Sequence, residues 1–463
     1  MIPPKTTGIL AAITLSLSAY AFEPSSAREV LQHTLDVVGV ARHGDRILHW
    51  RDMQGIEQDY QSNPPYVTML VSRESWLDPA SGVVQSDTQR IFLGSGPTKP
   101  VTTLLGPRSP GQTRNLEVWA VLADWRDASD VRLLPSAMYQ SYSRTVLART
   151  GEYGEERLFI DTKTGFPMKL DREEPHYLWG QVHVEYEYSA WEEHSGVRLP
   201  TAAARVVDGF KETTRSVGQF ELIAREKAPE LRAPTPPADP TPLFLQPLPP
   251  KKVEVSPTTF LSVNTGYTEA IALIGDTVYV FDATQGEKRA KQDLEMIRAA
   301  FPGEHKIAVV VTDTAWPHFA GIRFWVATGA TVISHRASKE LLTRVIERRW
   351  TREPDLLEQR RKSVKFKFVP IEQNHSAEGG KVQIAPIDGI ESEGALMAFL
   401  PGEAFLWASD YIQNVSQPTL YAREVWLAVQ RCGFAPVQVA AEHIPLTHWA
   451  TIDSLQRGSV KSE

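Results

Sequence analysis

The chain is nearly devoid of cysteine. One residue in 463, Cys432, excludes an intrachain disulfide and any zinc site built from several thiolates. Cys432 itself reads as a small, buried helix residue. An excess of positive charge is missing as well: 49 Lys and Arg stand against 56 Asp and Glu. The net charge of −7 gives no basic footprint for nucleic acid. Long apolar runs are absent too. No stretch reaches the roughly 18 apolar residues a membrane-spanning helix needs, so the mature chain carries no transmembrane segment.

What is present at the N-terminus is a short export signal. Lys5 supplies charge, residues 8–17 form an apolar run, and Ala19-Tyr20-Ala21 has the small-x-small form of a cleavage site. Residues 1–21 therefore read as a signal peptide cut after Ala21, with the mature protein periplasmic or secreted. No cysteine follows the cut, which excludes a lipid anchor there. Proline is concentrated rather than scarce. Nine of the 23 residues in 228–250 are proline, a composition that favours extended polyproline geometry and acts as a semi-rigid spacer. Taking 228–252 as linker divides the mature chain into 22–227 and 253–463, two domains for a length too great for one ordinary core.

Residues 26–38 place Val30, Leu31, Leu35 and Val38 on one face of a helix. Alternating segments at 67–72, 157–160 and 182–188 predict antiparallel strands, and Gly165 suits a positive-φ turn between two of them. The order Leu158-Phe-Ile-Asp161, Gly165-Phe-Pro167, Tyr186-Glu-Tyr-Ser189 and Gly196-Val-Arg-Leu-Pro200 is similar to the curved half-barrel sheets of periplasmic lipoprotein carriers. That resemblance implies an antiparallel sheet curled round a helix, able to hold a lipid or peptide; a sheet that only packs on its neighbour is the other reading. The histidines of this half, His33, His43, His49, His176, His183 and His194, show no ligand spacing. His183 shares a strand face with Glu185 and Glu187, a solvated face.

The second half begins with two strands, 271–274 and 277–281, around the hairpin signal Gly275-Asp276. An amphipathic helix over 287–300 stops at Phe301-Pro302, and an apolar strand follows at 307–311. The next residues are Thr312, Asp313, Thr314, Ala315, Trp316, Pro317 and His318, then the small-residue turn Ala320-Gly321, a helix over 322–328 and a strand to His335. Strands alternating with helices imply a layered α/β architecture. This junction resembles that of the metallo-β-lactamase superfamily, Thr-His-x-His-x-Asp-His-x-x-Gly-Gly. The resemblance continues in Ser392-Glu-Gly-Ala-Leu-Met-Ala-Phe-Leu-Pro-Gly-Glu403, in the strand that ends at Asp410, and in Ala441-Glu442-His443 with Trp449 six residues on. It covers nearly all of 258–455 and implies a four-layer αββα sandwich.

Set on that pattern, the ligand positions fall on Asp313, Ala315, Pro317, His318, Glu391, Asp410 and His443. The resemblance keeps three ligands, His318, Asp410 and His443, and replaces four. The site that the family builds from three histidines now has Asp313, Ala315 and Glu391, and a dinuclear zinc centre is not expected, since neither Ala315 nor Pro317 has a donor side chain. Two readings stay open. One is a non-hydrolytic pseudo-enzyme, a fold kept for binding a small molecule. The other is a mononuclear hydrolase on His318, Asp410 and His443, taking zinc, iron or manganese, with Asp313 and Glu391 as outer acceptors or hard oxygen ligands. A third, from the N-terminal half, is a periplasmic lipid- or peptide-binding protein. His305, His335, His375 and His448 lack convergent partners and carry no assignment. The basic run from Arg344 to Lys367, interspersed with Glu347, Glu353, Asp355 and Glu358, reads as a solvated helix face, with capture of an acidic ligand or of anionic lipid as the other reading.

Overall fold

A computed structural model describes residues 26–39, 43–56, 69–92, 96–106, 114–232, 248–264, 266–315, 318–389 and 394–460. The predicted leader, Pro317, Glu391 and most of the proline segment lie outside them. The molecule is mostly sheet, antiparallel and mixed, with few helices. Among the described residues no helix is long and apolar enough to cross a membrane.

The first sheet is twelve-stranded and antiparallel, built between Arg46 and Ala224; its first strand, Arg46–Ile56, pairs with its last, Phe210–Ala224. Two helices cover one face. Helix α1, Ala27–Val38, starts where the Ser26 hydroxyl accepts from the Glu29 N–H and ends at Gly39 with φ of 91°. Both caps are what the chain needs there: an oxygen for an orphan amide and a residue without Cβ for the left-handed turn. The predicted face of Val30, Leu31, Leu35 and Val38 is buried. Helix α2, Val118–Arg126, buries seven of its nine residues, Trp119 and Trp125 among them. Beneath it Asp52 accepts from Trp50 and Arg73, and Glu117 bridges Arg73 and Arg215, all buried. The face under α2 is thus occupied by helix side chains and paired charges.

The second sheet runs Lys251–Ser256, Thr259–Asn264, Tyr267–Ile274 and Thr277–Phe281 antiparallel, then adds Lys306–Val311, Thr331–His335 and Lys367–Ile371 in parallel. Parallel neighbours need crossovers, and three helices supply them: α3, Glu287–Ala300, then α4, Ile322–Ala327, and α5, Lys339–Glu347, with the short α6, Leu356–Arg360, after it. Their apolar side chains join Phe260, Val280, Val309 and Val332 in one core. The third sheet, from His375–Ala377 to Ile444–His448, shares a second core with the opposite side of the second sheet through Leu261, Phe281, Val310, Leu396 and Trp407. Its other face packs on α7, Leu420–Cys432, and α8, Trp449–Val460. Cys432 ends α7 half-buried rather than in the core, its thiol toward Asn374.

Six of the nine Arg and Lys residues in the basic run are exposed, as a solvated face requires, but the run also reaches the first half. Arg348 donates to the carbonyls of Trp179 and Gln181 and pairs with Asp208 at 2.9 Å, all in the first half. Arg352 donates to the carbonyls of Tyr153 and Glu152. Trp350 lies so close to Gly180 that a Cβ there would stand 2.7 Å from the indole. Charges spaced for i,i+4 pairing instead reach carbonyls nearly 170 residues away, and they dock the two halves. A protease site engineered into 233–247 should therefore give two fragments that still co-elute on size exclusion. Arg348→Ala should separate them, since each lost charge-assisted bond to a buried carbonyl costs about 1–3 kcal/mol; fragments that part without the substitution would refute the dock.

Candidate metal centre

Three strand ends meet at one edge of the second and third sheets, and one carboxylate fixes them. Asp282, buried and with φ of 70°, ends the strand Thr277–Phe281. Its oxygens accept from the Thr312 N–H at 2.6 Å, the Thr312 hydroxyl at 2.5 Å and Trp407 Nε1 at 2.8 Å. Thr312 opens the loop to His318, and Trp407 closes the strand that leads to Asp410. In that loop Asp313 Oδ1 accepts from the Ala315 N–H and His318 N–H closes on the Ala315 carbonyl. Ala315, without a ligand atom on its side chain, thus shapes the turn through its backbone. Gly321 is needed where the chain re-enters α4: a Cβ would meet the Ala283 carbonyl at 3.1 Å.

His318, Asp410, Glu442 and His443 converge, each offering a ligand atom within 4.8 Å of the others. The three positions carried by the sequence pattern are together. The fourth, Glu442, is fully buried and did not figure in that pattern; its one signal was a carboxylate ending the apolar run Val439-Ala-Ala441. His318 Nε2 stands 3.2 Å from Glu442 Oε2, and His443 Nε2 stands 3.0 Å from Asp410 Oδ1. The outer nitrogens are both engaged: His318 Nδ1 with Asp313 Oδ2 at 3.2 Å, His443 Nδ1 with the Gly266 carbonyl at 2.7 Å. Outer acceptors of this kind hold a ligating imidazole in one tautomer and leave Nε2 for the ion. Asp313 is thus an orienting group here. The Tyr267 ring flanks both imidazoles, 6.1 Å from His318 and 5.1 Å from His443 between centroids.

The charges are unbalanced without a cation. Burial pushes the Glu442 carboxyl well above its usual range, and the charges of Asp282, Asp410 and Asp313 push it further. Glu442 Oε1 has no hydrogen-bond partner among the described residues, and Glu442 Oε2 and Asp410 Oδ1 face only the imidazole Nε2 atoms of His318 and His443. Burial alone would lower His318; Asp410 and the bond to Asp313 outweigh it and raise the imidazole to about 9. Asp410 is lowered, the effect of burial being overcome by His318 and His443. Burial lifts Asp282 to about 6 against the bonds it accepts. Two imidazoles and two carboxylates form a donor set that suits one divalent zinc, iron or manganese ion, and the orphaned buried carboxylate oxygens fit such an ion.

A second group, Asp171, His183 and Glu185, lies on the first sheet. It already holds cations: the Lys169 ammonium contacts Asp171 and Glu185, and His183 is raised to about 9, first by its bond to Glu185. His305, His335, His375 and His448 stand outside both groups.

No family model matches the chain, and no curated protein matches it. Solved structures similar to it include the DIM-1 metallo-β-lactamase, at 12% identity over 47% of this chain and 100% of that one, TM-score 0.37. The mono-zinc form of the FIM-1 metallo-β-lactamase from Pseudomonas aeruginosa matches at 12% identity over 46% and 96%, TM-score 0.36. A metallo-β-lactamase from Erythrobacter litoralis matches at 12% over 45% and 96%, TM-score 0.35.

Two outcomes follow from this electrostatics. In metal-free protein His318 and Asp282 both titrate above their ordinary values of 6.5 and 3.8. The stability they contribute is complete below those values and is lost as pH rises through about 6 and then about 9. Urea midpoints of metal-free protein should fall between pH 6.5 and 9 by an amount worth ~3 kcal/mol, and His318→Gln should remove that step. An unchanged slope in the variant would contradict the assignment. Asp313→Ala should weaken metal binding about 10–100-fold, as loss of an orienting carboxylate does, measured by competition with a chromogenic chelator.

Proposed function

We propose that the second half is a metallo-β-lactamase-like αββα domain that holds one divalent metal ion and acts as a mononuclear hydrolase. The motif matches from Thr312 to His443 support the family, and the convergence of His318, Asp410 and His443 with buried Glu442 carries the centre. His318 and His443 would bind through Nε2, Asp410 and Glu442 through carboxylate oxygens. Bound there, the ion would supply Lewis acidity and a water acidified toward neutral pH. The chain's own groups do the positioning: Asp313 and the Gly266 carbonyl fix the two rings, while Glu442 and His318 form the dry floor. His443 and Asp410, 29% and 18% exposed, open the other side to substrate. The site that the family builds from three histidines falls on Asp313, Ala315 and Glu391, and Ala315 has no donor side chain, so one ion per chain is expected. The order of the chain, a leader over 1–21, a half-barrel-like domain over 22–227 and a linker over 228–252, makes this an exported two-domain protein.

A non-hydrolytic reading has one observation in its favour. Four protein ligands complete a tetrahedral zinc sphere, and catalytic zinc keeps a position open; a six-coordinate manganese or iron ion would not be closed off. Elemental analysis after dialysis against each metal decides the centre. One ion per chain is expected, lost in both His318→Ala and His443→Ala. Two ions, or one ion retained in both variants, would overturn it. Loaded protein should also hydrolyse an ester, phosphodiester or β-lactam chromogen that His443→Ala does not; one ion with no turnover under any metal leaves the binding protein.

A further inference from the structure

A cavity lies between the two halves, about 710 Å³ in volume, and none of the four candidate metal ligands lines it. That size is ordinary for a small-molecule site. Its walls come from the first sheet, through Trp179 and Phe210, and from α5 and the residues after it, through Arg344 and Arg348. The arginines are not equivalent. Arg348 is held by two carbonyls and Asp208, and Arg349 by Glu358. Arg344 enters no ion pair among the described residues, and its buried Nε meets no hydrogen-bond partner. What it does have is aromatic cover: its guanidinium carbon lies 5.7 Å from the centre of the Trp179 ring and 5.8 Å from that of Phe210. Aromatic contacts of this kind attract and restrain a guanidinium without using up its N–H groups.

We propose that this cavity binds a small organic monoanion, a carboxylate on a flat apolar body, with Arg344 as the anion-binding group. The planar fork of a guanidinium matches a carboxylate through two parallel bonds. Phe210, an apolar side chain left 38% exposed at the cavity, offers the surface for the apolar body. Glu173, Asp208 and Glu347 line the same space, so one negative charge fits it and a dianionic phosphate is disfavoured. Because the walls belong to both halves, occupancy would also tighten the dock made by Arg348 and Trp350.

Calorimetric titration of the full chain with 1-naphthoate tests this, with 1-naphthalenemethanol and 1-naphthyl phosphate as controls. Naphthoate is expected to bind one site saturably, with Kd below about 1 mM, and both controls about tenfold more weakly or worse. Arg344→Ala should weaken naphthoate at least about tenfold, Arg344→Lys by less because it keeps the charge without the fork, and Phe210→Ser should also weaken it. His318→Ala should leave binding unchanged, which separates this cavity from the metal centre and from the fate of that assignment. Absence of saturable heat, equal affinity for the alcohol, full binding in Arg344→Ala, or loss in His318→Ala would each overturn the proposal. Should Arg344→Ala fail to fold, the ranking of the lysine and Phe210 variants decides.

Discussion

The candidate centre depends on the carboxylate of Asp282. It is buried, and it satisfies three donors from two other strand ends: the amide and hydroxyl of Thr312 and the indole of Trp407. Those strands belong to different sheets, so one side chain sets the relation between the sheets at the edge where the site forms. Leu396 adds a backbone bond to the Thr312 carbonyl across the same gap. Burying a carboxylate is costly unless it is fully hydrogen-bonded, and the residual cost is visible in its titration near 6. A fold that keeps so expensive a group in its interior gains geometry from it. The loop carrying His318 and the turn carrying Asp410 both leave from its partners.

Once those ends are fixed, the site is a problem of charge. Asp313, Asp410 and Glu442 surround His318, with Asp282 behind them, while the cationic capacity nearby is two imidazoles. Without metal the cluster can resolve itself only by protonation: His318 takes a proton far above its ordinary range, and Glu442 keeps one. A divalent ion resolves the same imbalance by displacing those protons. That is why a carboxylate-rich, two-histidine cluster differs from a degraded three-histidine site. In the family pattern Ala315 takes a donor from the three-histidine site and Pro317 takes an aspartate from the other, yet the residues around His318 still supply more negative charge than their protein neighbours offset.

Much of this architecture is legible in the chain. Helix α3 keeps its predicted limits because its start at Gly286 and its stop at Phe301-Pro302 are local chemistry. The strand Lys306–Val311 is a continuous apolar run because both of its faces are buried. Convergence of His318, Asp410 and His443 was legible only through a family pattern, since their elements are brought together by non-local pairing. Glu442 escaped for a physical reason. Glu442 and His443 form the two-residue turn between the strands Gln438–Ala441 and Ile444–His448, where strand alternation does not apply, and consecutive residues reach one cluster. The size of the first sheet was not legible either. Its closing pair joins residues 46–56 with 210–224, and short-range alternation carries no information about such a partner.

The basic run shows the same limit from the opposite direction. Arginines among glutamates at helical spacing satisfy a local rule, and Arg361 obeys it with Glu358 three residues before it, while Arg349 reaches the same Glu358 from nine residues away. Arg348 and Arg352 lie beyond the end of α5, where the chain turns extended, and there a long side chain can reach another sheet's carbonyls. Gly180 makes room for Trp350 beside them, and only a residue without Cβ could do so. The halves are held by directional bonds to backbone and one close aromatic contact, beside a hydrophobic core that includes residues of both. Such an interface leaves gaps where the bonds are not, and the cavity around Arg344 is one of them. The geometry that docks the halves thus also leaves Arg344, which enters no ion pair among the described residues, beside a space large enough for a small ligand.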